Sequence, residues 1–141
     1  MVKRSKSGVH RLVGTRVLIV DADTDSSDLC AIWLRSAGHR VSIASDAARA
    51  VILAPMLRPT VAVIEIGLPG VDGVELVRML RQFPELEHCR YLAITAFADE
   101  RLRGRCREAG ITQLFEKPLP RPALVEAVFA VAGLGVRARY S

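Results

Sequence analysis

The chain is short of most devices that would announce a function. It has three cysteines, Cys30, Cys89 and Cys106, with no CxxC pair among them. No histidine stands at metal-ligand spacing from any of them, which excludes a disulfide or zinc scaffold and suits small buried thiols in a reducing cytoplasm. Aromatic residues make up only 5% of the chain. No apolar run approaches the ~18 residues of a membrane span, and the basic N-terminus lacks the apolar stretch of a secretory signal. His10, His39 and His88 have no Ser, Cys or Asp at catalytic spacing, so no hydrolase-type triad is written in the sequence and no enzyme is expected.

An excess of one charge sign is also missing from the body of the chain, although 20 basic residues against 15 acidic give a formal net charge of +5. Lys3, Arg4, Lys6 and Arg11 precede residue 15; setting them aside leaves 16 basic against 15 acidic. Removing Arg137 and Arg139 as well brings the remainder to −1. The expected organisation is a basic arm over 1–14, a folded domain over 15–133 and a tail over 134–141. A regulator that touches nucleic acid through its basic termini is an alternative reading. Against it, no helix-turn-helix follows residue 133.

What the sequence does have is alternation. Five short apolar runs read as strands: 16–20, 40–44, 60–65, 90–95 and 112–116. Helical patterns fall between them. Leu29, Ile32 and Trp33 share a face, as do Ala47, Ala50, Val51 and Ala54 behind a Ser45 cap. Leu76, Leu80 and Phe83 precede Pro84, and Leu102, Cys106 and Ala109 precede Gly110. Leu124, Ala127, Val128 and Val131 form the last stripe, before Gly133. Strands alternating with helices predict an α/β fold, a parallel sheet covered on both faces. Ligand chemistry in such sheets collects at the carboxyl ends of the strands. There the sequence places Asp21 and Asp23 after the first strand, Glu65 after the third, Thr95 after the fourth and Lys117 after the fifth. Carboxylates, a hydroxyl and an ammonium together suit a divalent cation and a phosphoryl group.

The stretches VLIVDAD, VIEIGLPGVDG, YLAITA and FEKPLP resemble the receiver domain of response regulators, over residues ~16–132. The resemblance implies a flavodoxin-like (βα)5 three-layer sandwich with strand order 2-1-3-4-5 and a place in phosphorelay, two-component signal transduction. It implies that Asp21 belongs to the acidic pocket, that Thr95 and Lys117 are the conserved hydroxyl and ammonium, and that the bond before Pro118 is cis. It also exposes three departures. Glu65 stands where the family has its phospho-acceptor Asp, Ala22 where it has a second acidic metal ligand, and Leu114 where it has an aromatic switch residue.

A longer side chain displaces the acceptor carboxylate by about 1.5 Å, and in-line transfer tolerates little misplacement. Ala22 leaves Asp21, Asp23 and Glu65 as a weak set for Mg²⁺, and alternation along an extended segment points Asp23 away from the position of Ala22. The expected molecule is therefore a pseudo-receiver that works without phosphorylation and needs no cofactor. Its partner would be a protein, a histidine kinase or a downstream regulator. Arg101, Arg105 and Arg121 are the candidate partner surface, with homodimerisation through the fourth helix, fifth strand and fifth helix as a variant. The rival is an FMN protein, since flavodoxin-like sheets bind flavin at the same pole; the aspartates after the first strand would repel its phosphate.

Overall fold

The computed structural model describes residues 15–119 and 121–140, with backbone only over 134–140. The chain alternates β1 (Arg16–Val20), α1 (Thr24–Ser36), β2 (Arg40–Ala44), α2 (Ala47–Leu57), β3 (Val61–Glu65), α3 (Gly73–Leu80), β4 (Arg90–Thr95), α4 (Glu100–Ala109), β5 (Ile111–Glu116) and α5 (Arg121–Tyr140), with a 3-10 turn at Pro84–Leu86. The strands form one sheet in the order β2-β1-β3-β4-β5. Every pairing is parallel. The expected fold class and strand order are both found.

Side-chain alternation along the strands builds the three layers. Val17 and Ile19 point to one side with Val61, Val63, Leu92 and Ile94, where α1 and α5 cover them. Leu18 and Val20 point to the other with Ala62, Ile64 and Ala93, beneath α2, α3 and α4. Both faces of β3 are therefore apolar, and all five of its residues are buried, as a central parallel strand requires.

The helical stripes agree in part. Ala50 and Ala54 of α2 and Leu124, Ala127, Val128 and Val131 of α5 are buried as expected. The α1 stripe is corrected. Ser27, Cys30, Ala31 and Leu34 face the sheet, whereas Leu29 and Ile32 are 48% and 57% exposed. Small residues let this helix lie close to the strands, so its larger apolar residues are left on the outer side. The cap of α2 is Asp46, whose carboxylate accepts from Arg49 N–H at 2.7 Å, rather than Ser45. Gly110 ends α4 in the left-handed region, φ 86°, where only glycine is unstrained.

The arm at 1–14 lies outside the described residues. At the other end, α5 does not stop at Gly133. Helical backbone continues to Tyr140, so the expected tail is an extension of α5. A glycine costs a helix only about 1 kcal/mol relative to alanine.

Candidate functional site

The carboxyl ends of β1, β3 and β5 bring three charged groups together. Parallel register sets β3 beside β4, with Glu65 opposite Ile94, and β4 beside β5, with Thr95 opposite Glu116. Lys117 N–H then donates to Thr95 O at 2.8 Å, which extends the ladder one residue past β5 and turns the lysine inward. Its Nζ lies 2.6 Å from Glu65 Oε1 and 3.5 Å from Asp21 Oδ2. The Lys117–Pro118 bond is cis, as the resemblance implied.

The backbone holds this pocket tightly. Asp21 N–H donates to Ala44 O and Ile66 N–H to Ile94 O. Gly73, the first residue of α3, lies against the end of β3. A Cβ built there would be 2.4 Å from the Glu65 carbonyl oxygen and 2.6 Å from Ile66 Cα. Glycine at 73 is thus what allows α3 to start directly beneath the acceptor position.

Asp21 and Glu65 are buried, and Lys117 is half-buried. Burial alone would pull the Lys117 ammonium down. Its hydrogen bond to Glu65 and the charges of Asp21 and Glu65 outweigh that and hold it above the usual lysine value.

The magnesium ion of the family does not fit these residues. Asp21 Oδ1 accepts from Asp23 N–H at 3.0 Å while Oδ2 faces Lys117. Glu65 Oε1 is taken by Lys117, and Oε2 accepts from Gly67 N–H at 3.1 Å. Position 22 offers only a methyl group. The Asp23 carboxylate caps α1 through Asp25 and Ser26 N–H at 3.1 and 3.3 Å. Among the described residues, no group of three or more His, Cys, Asp or Glu side chains is arranged to hold a metal. Mg²⁺ demands near-octahedral oxygen ligation, and here Asp23 is a helix cap while Asp21 and Glu65 are bonded to other groups of the protein.

Two further expectations change. Thr95 is buried at the rim, but its hydroxyl donates to Phe97 O at 3.1 Å and accepts from Phe97 N–H at 3.3 Å. It is engaged by the β4–α4 loop rather than by Glu65 or Lys117, and the same loop leaves Phe97 70% exposed. Arg105 is not a free surface arginine. Its guanidinium bonds the Asp72 carboxylate and lies 3.9 Å from Glu75, tying α4 to the start of α3. Asp72 also caps α3 by accepting from Val74 N–H at 2.9 Å. Arg101 and Arg121 do stand exposed. Leu114 is half-buried and packs against the α2–α3–α4 core.

Phe97 and Arg105 were the residues that sequence reasoning misplaced or missed. Nothing in a loop reading AFAD signals a backbone bond to the preceding threonine.

Most of the described body is similar to known proteins. The response regulator receiver domain model matches residues 17–129. The polar-differentiation response regulator DivK of Brucella anthropi is 28% identical over 117 residues, covering 83% of this chain and 95% of that protein. The transcriptional regulatory protein PrrA of Mycobacterium leprae is 35% identical over 116 residues, covering 82% of this chain and 49% of its own length. The crystal structure of a CheY-like receiver domain protein from Methanospirillum hungatei superposes with a TM-score of 0.82 at 23% identity, covering 88% of this chain and 98% of that one. The flavin alternative gives way to this agreement. Receiver domains are signalling modules that interact with histidine kinases and downstream regulators, and they are not enzymes. With its strand order, its Asp21–Glu65–Lys117 pocket and this match, the chain belongs to the response regulator receiver domain family of two-component systems.

Proposed function

We propose that this receiver works without phosphorylation, as a protein-interaction module whose pocket is closed by its own side chains. The observation that carries the reading is the Lys117–Glu65 contact at 2.6 Å. It occupies the ammonium that a phosphoryl group would need. Glu65 supplies a permanent single negative charge, where a phosphoryl adds nearly two.

The hydroxyl side supports a molecule held in one state. Thr95 bonds Phe97 and not Glu65, so the glutamate engages the lysine without drawing in the threonine. Leu114 has no ring or hydroxyl to report a movement of Thr95. Input chemistry and one output element are both altered, and allostery needs a two-state element that the input biases.

The partner is a protein of the same signalling system, a histidine kinase or a regulator downstream. Arg101 and Arg121 contribute to its docking face, and a second copy through α4, β5 and α5 is the alternative partner. Among the described residues no helix is long and apolar enough to cross a membrane. Three free buried thiols, Cys30, Cys89 and Cys106, suit a reducing cytoplasm.

Incubation with acetyl phosphate and Mg²⁺, followed by intact-mass measurement, tests the proposal. The native chain is expected to gain no phosphoryl mass. A stoichiometric adduct lost on Glu65→Ala would overturn it.

A further inference from the structure

A cleft of about 750 Å³ opens at the amino-terminal edge of the sheet. Arg81 and residues 87–90 of the α3–β4 connection form part of its wall, and Gly110 and Thr112 of the α4–β5 turn form another part. Val131 and Ala132 of α5 supply an apolar side. β4 starts at Arg90 and ends at Thr95, a rise of about 17 Å, so this cleft lies at the pole opposite Lys117. Its volume is that of a small-molecule site, which spans about 300–1,000 Å³.

The charges that line it do not cancel. They are Arg81, Glu87, His88 and Arg90. The Glu87 carboxylate lies 3.7 Å from the His88 ring, and both are exposed. Neither Arg81 nor Arg90 forms an ion pair among the described residues. Cys89 adds no counter-charge, since burial pushes its thiol up to about 12. Two guanidinium groups therefore face one carboxylate, and that carboxylate has an imidazole beside it.

Both arginines are held in place. The carbonyl end of α3 favours a cation at Arg81, but that does not fix where its guanidinium lies. It lies over Gly110: a Cβ built on that glycine would be 2.7 Å from Arg81 Nη1 and 2.9 Å from Cζ. Glycine at the turn thus gives the guanidinium its seat. Arg90 N–H donates to Thr60 O at 2.9 Å, which sets Arg90 beside Thr60, another residue of the cleft. The Thr60 hydroxyl oxygen accepts from Arg16 N–H at 3.4 Å, and its own hydrogen stays available to an acceptor.

Planar guanidinium groups bind oxyanions through paired hydrogen bonds. A carboxylate brings one negative charge, whereas a phosphate monoester brings nearly two, the number that two arginines offset. We propose that this cleft binds a small organic phosphate, a monoester whose oxyanion is shared by Arg81 and Arg90 and whose apolar part lies against Val131 and Ala132. Such an occupant joins the α3–β4 connection, the α4–β5 turn and α5. The inference is independent of whether Glu65 is ever phosphorylated.

Amide NMR titration of the full chain with phenyl phosphate tests it. Saturable shifts are expected at Arg81, Arg90, Gly110 and Thr112, and none at Asp21 and Glu65. Arg81→Gln and Arg90→Gln each weaken the affinity by about tenfold, as loss of a charged hydrogen-bond donor does. Both side chains are exposed, and thermal denaturation checks that the variants stay folded. Benzoate keeps the ring with a single charge, and it binds the native chain about tenfold more weakly.

Shifts that never saturate, or an affinity unchanged in both variants, overturn the site. Benzoate binding as tightly as phenyl phosphate overturns the choice of phosphate without recourse to any variant. A short DNA duplex that shifts these amides while phenyl phosphate leaves them unmoved makes the arginines a nucleic-acid contact and overturns the small-molecule assignment.

Discussion

Glu65 Oε1 and Lys117 Nζ are 2.6 Å apart, closer than Lys117 is to the aspartate of the pocket, Asp21 Oδ2, at 3.5 Å. The glutamate reaches the lysine directly. Its second oxygen is held by Gly67 N–H, so the carboxylate is fixed at both ends.

This pairing orders the effects of two substitutions. Lys117→Ala leaves the carboxylates of Asp21 and Glu65 facing one another at a buried site without a cation, at a cost of about 2–4 kcal/mol. Glu65→Gln keeps Asp21 for the lysine and costs about 1 kcal/mol. Because the folded-state Lys117 value is raised, its contribution is fully present below the unfolded lysine value near 10.5 and is lost as pH rises through the folded one. Urea denaturation of both variants at neutral and alkaline pH checks the order; a larger loss for Glu65→Gln would contradict it.

Gly73→Ala has a steric outcome. The new Cβ would sit 2.4 Å from the Glu65 carbonyl oxygen, a contact that only backbone movement can relieve. A loss of about 1–3 kcal/mol is expected, with amide shifts at Glu65 and Ile66 in NMR. A variant as stable as the native chain would show that α3 does not press on β3.

Asp72 has two tasks that substitutions can separate. Asp72→Asn keeps an oxygen for Val74 N–H and removes only the charge that holds Arg105, a loss of about 0.5 kcal/mol for a part-exposed pair. Asp72→Ala also removes the cap and costs about 1–2 kcal/mol. Thermal denaturation of the two variants and Arg105→Ala checks this. Equal losses for Asn and Ala would mean that the cap contributes nothing.

His39 predicts an acid limit. His39 is 4% exposed, its ring lies 4.8 Å from the Phe129 ring, and neither nitrogen has a hydrogen-bond partner among the described residues. Burial holds its pKa below the usual histidine value. The folded state resists a proton that the unfolded chain accepts, so stability falls as pH drops below about 6.5 toward the folded value. His39→Leu should flatten that fall in denaturation midpoints between pH 7.5 and 5. An unchanged slope would assign the acid loss to carboxylates.

The fold was legible because its signals are periodic. A central strand such as β3 is apolar at its first four positions and buried at all five, and α5 repeats Leu124, Ala127, Val128 and Val131 at helical spacing. The pocket was legible because Asp21, Glu65 and Lys117 end three strands that topology brings together. α1 was misread because hydrophobicity ranks Leu29 and Ile32 above Ser27 and Ala31, whereas close packing on a sheet favours the small residues. The Thr95 hydroxyl and the Arg105 guanidinium escaped for another reason. Each chooses between neighbours by rotamer and loop geometry, which no spacing rule encodes.

The most direct test is amide NMR of the native chain with Mg²⁺, then with beryllofluoride, beside the Ala22→Asp, Glu65→Asp double variant. The pocket described above predicts no saturable shifts at residues 21, 65, 95 and 117 in the native chain, and a response in the variant that restores both carboxylate positions. A native chain that responds like the variant would contradict a receiver closed by Glu65.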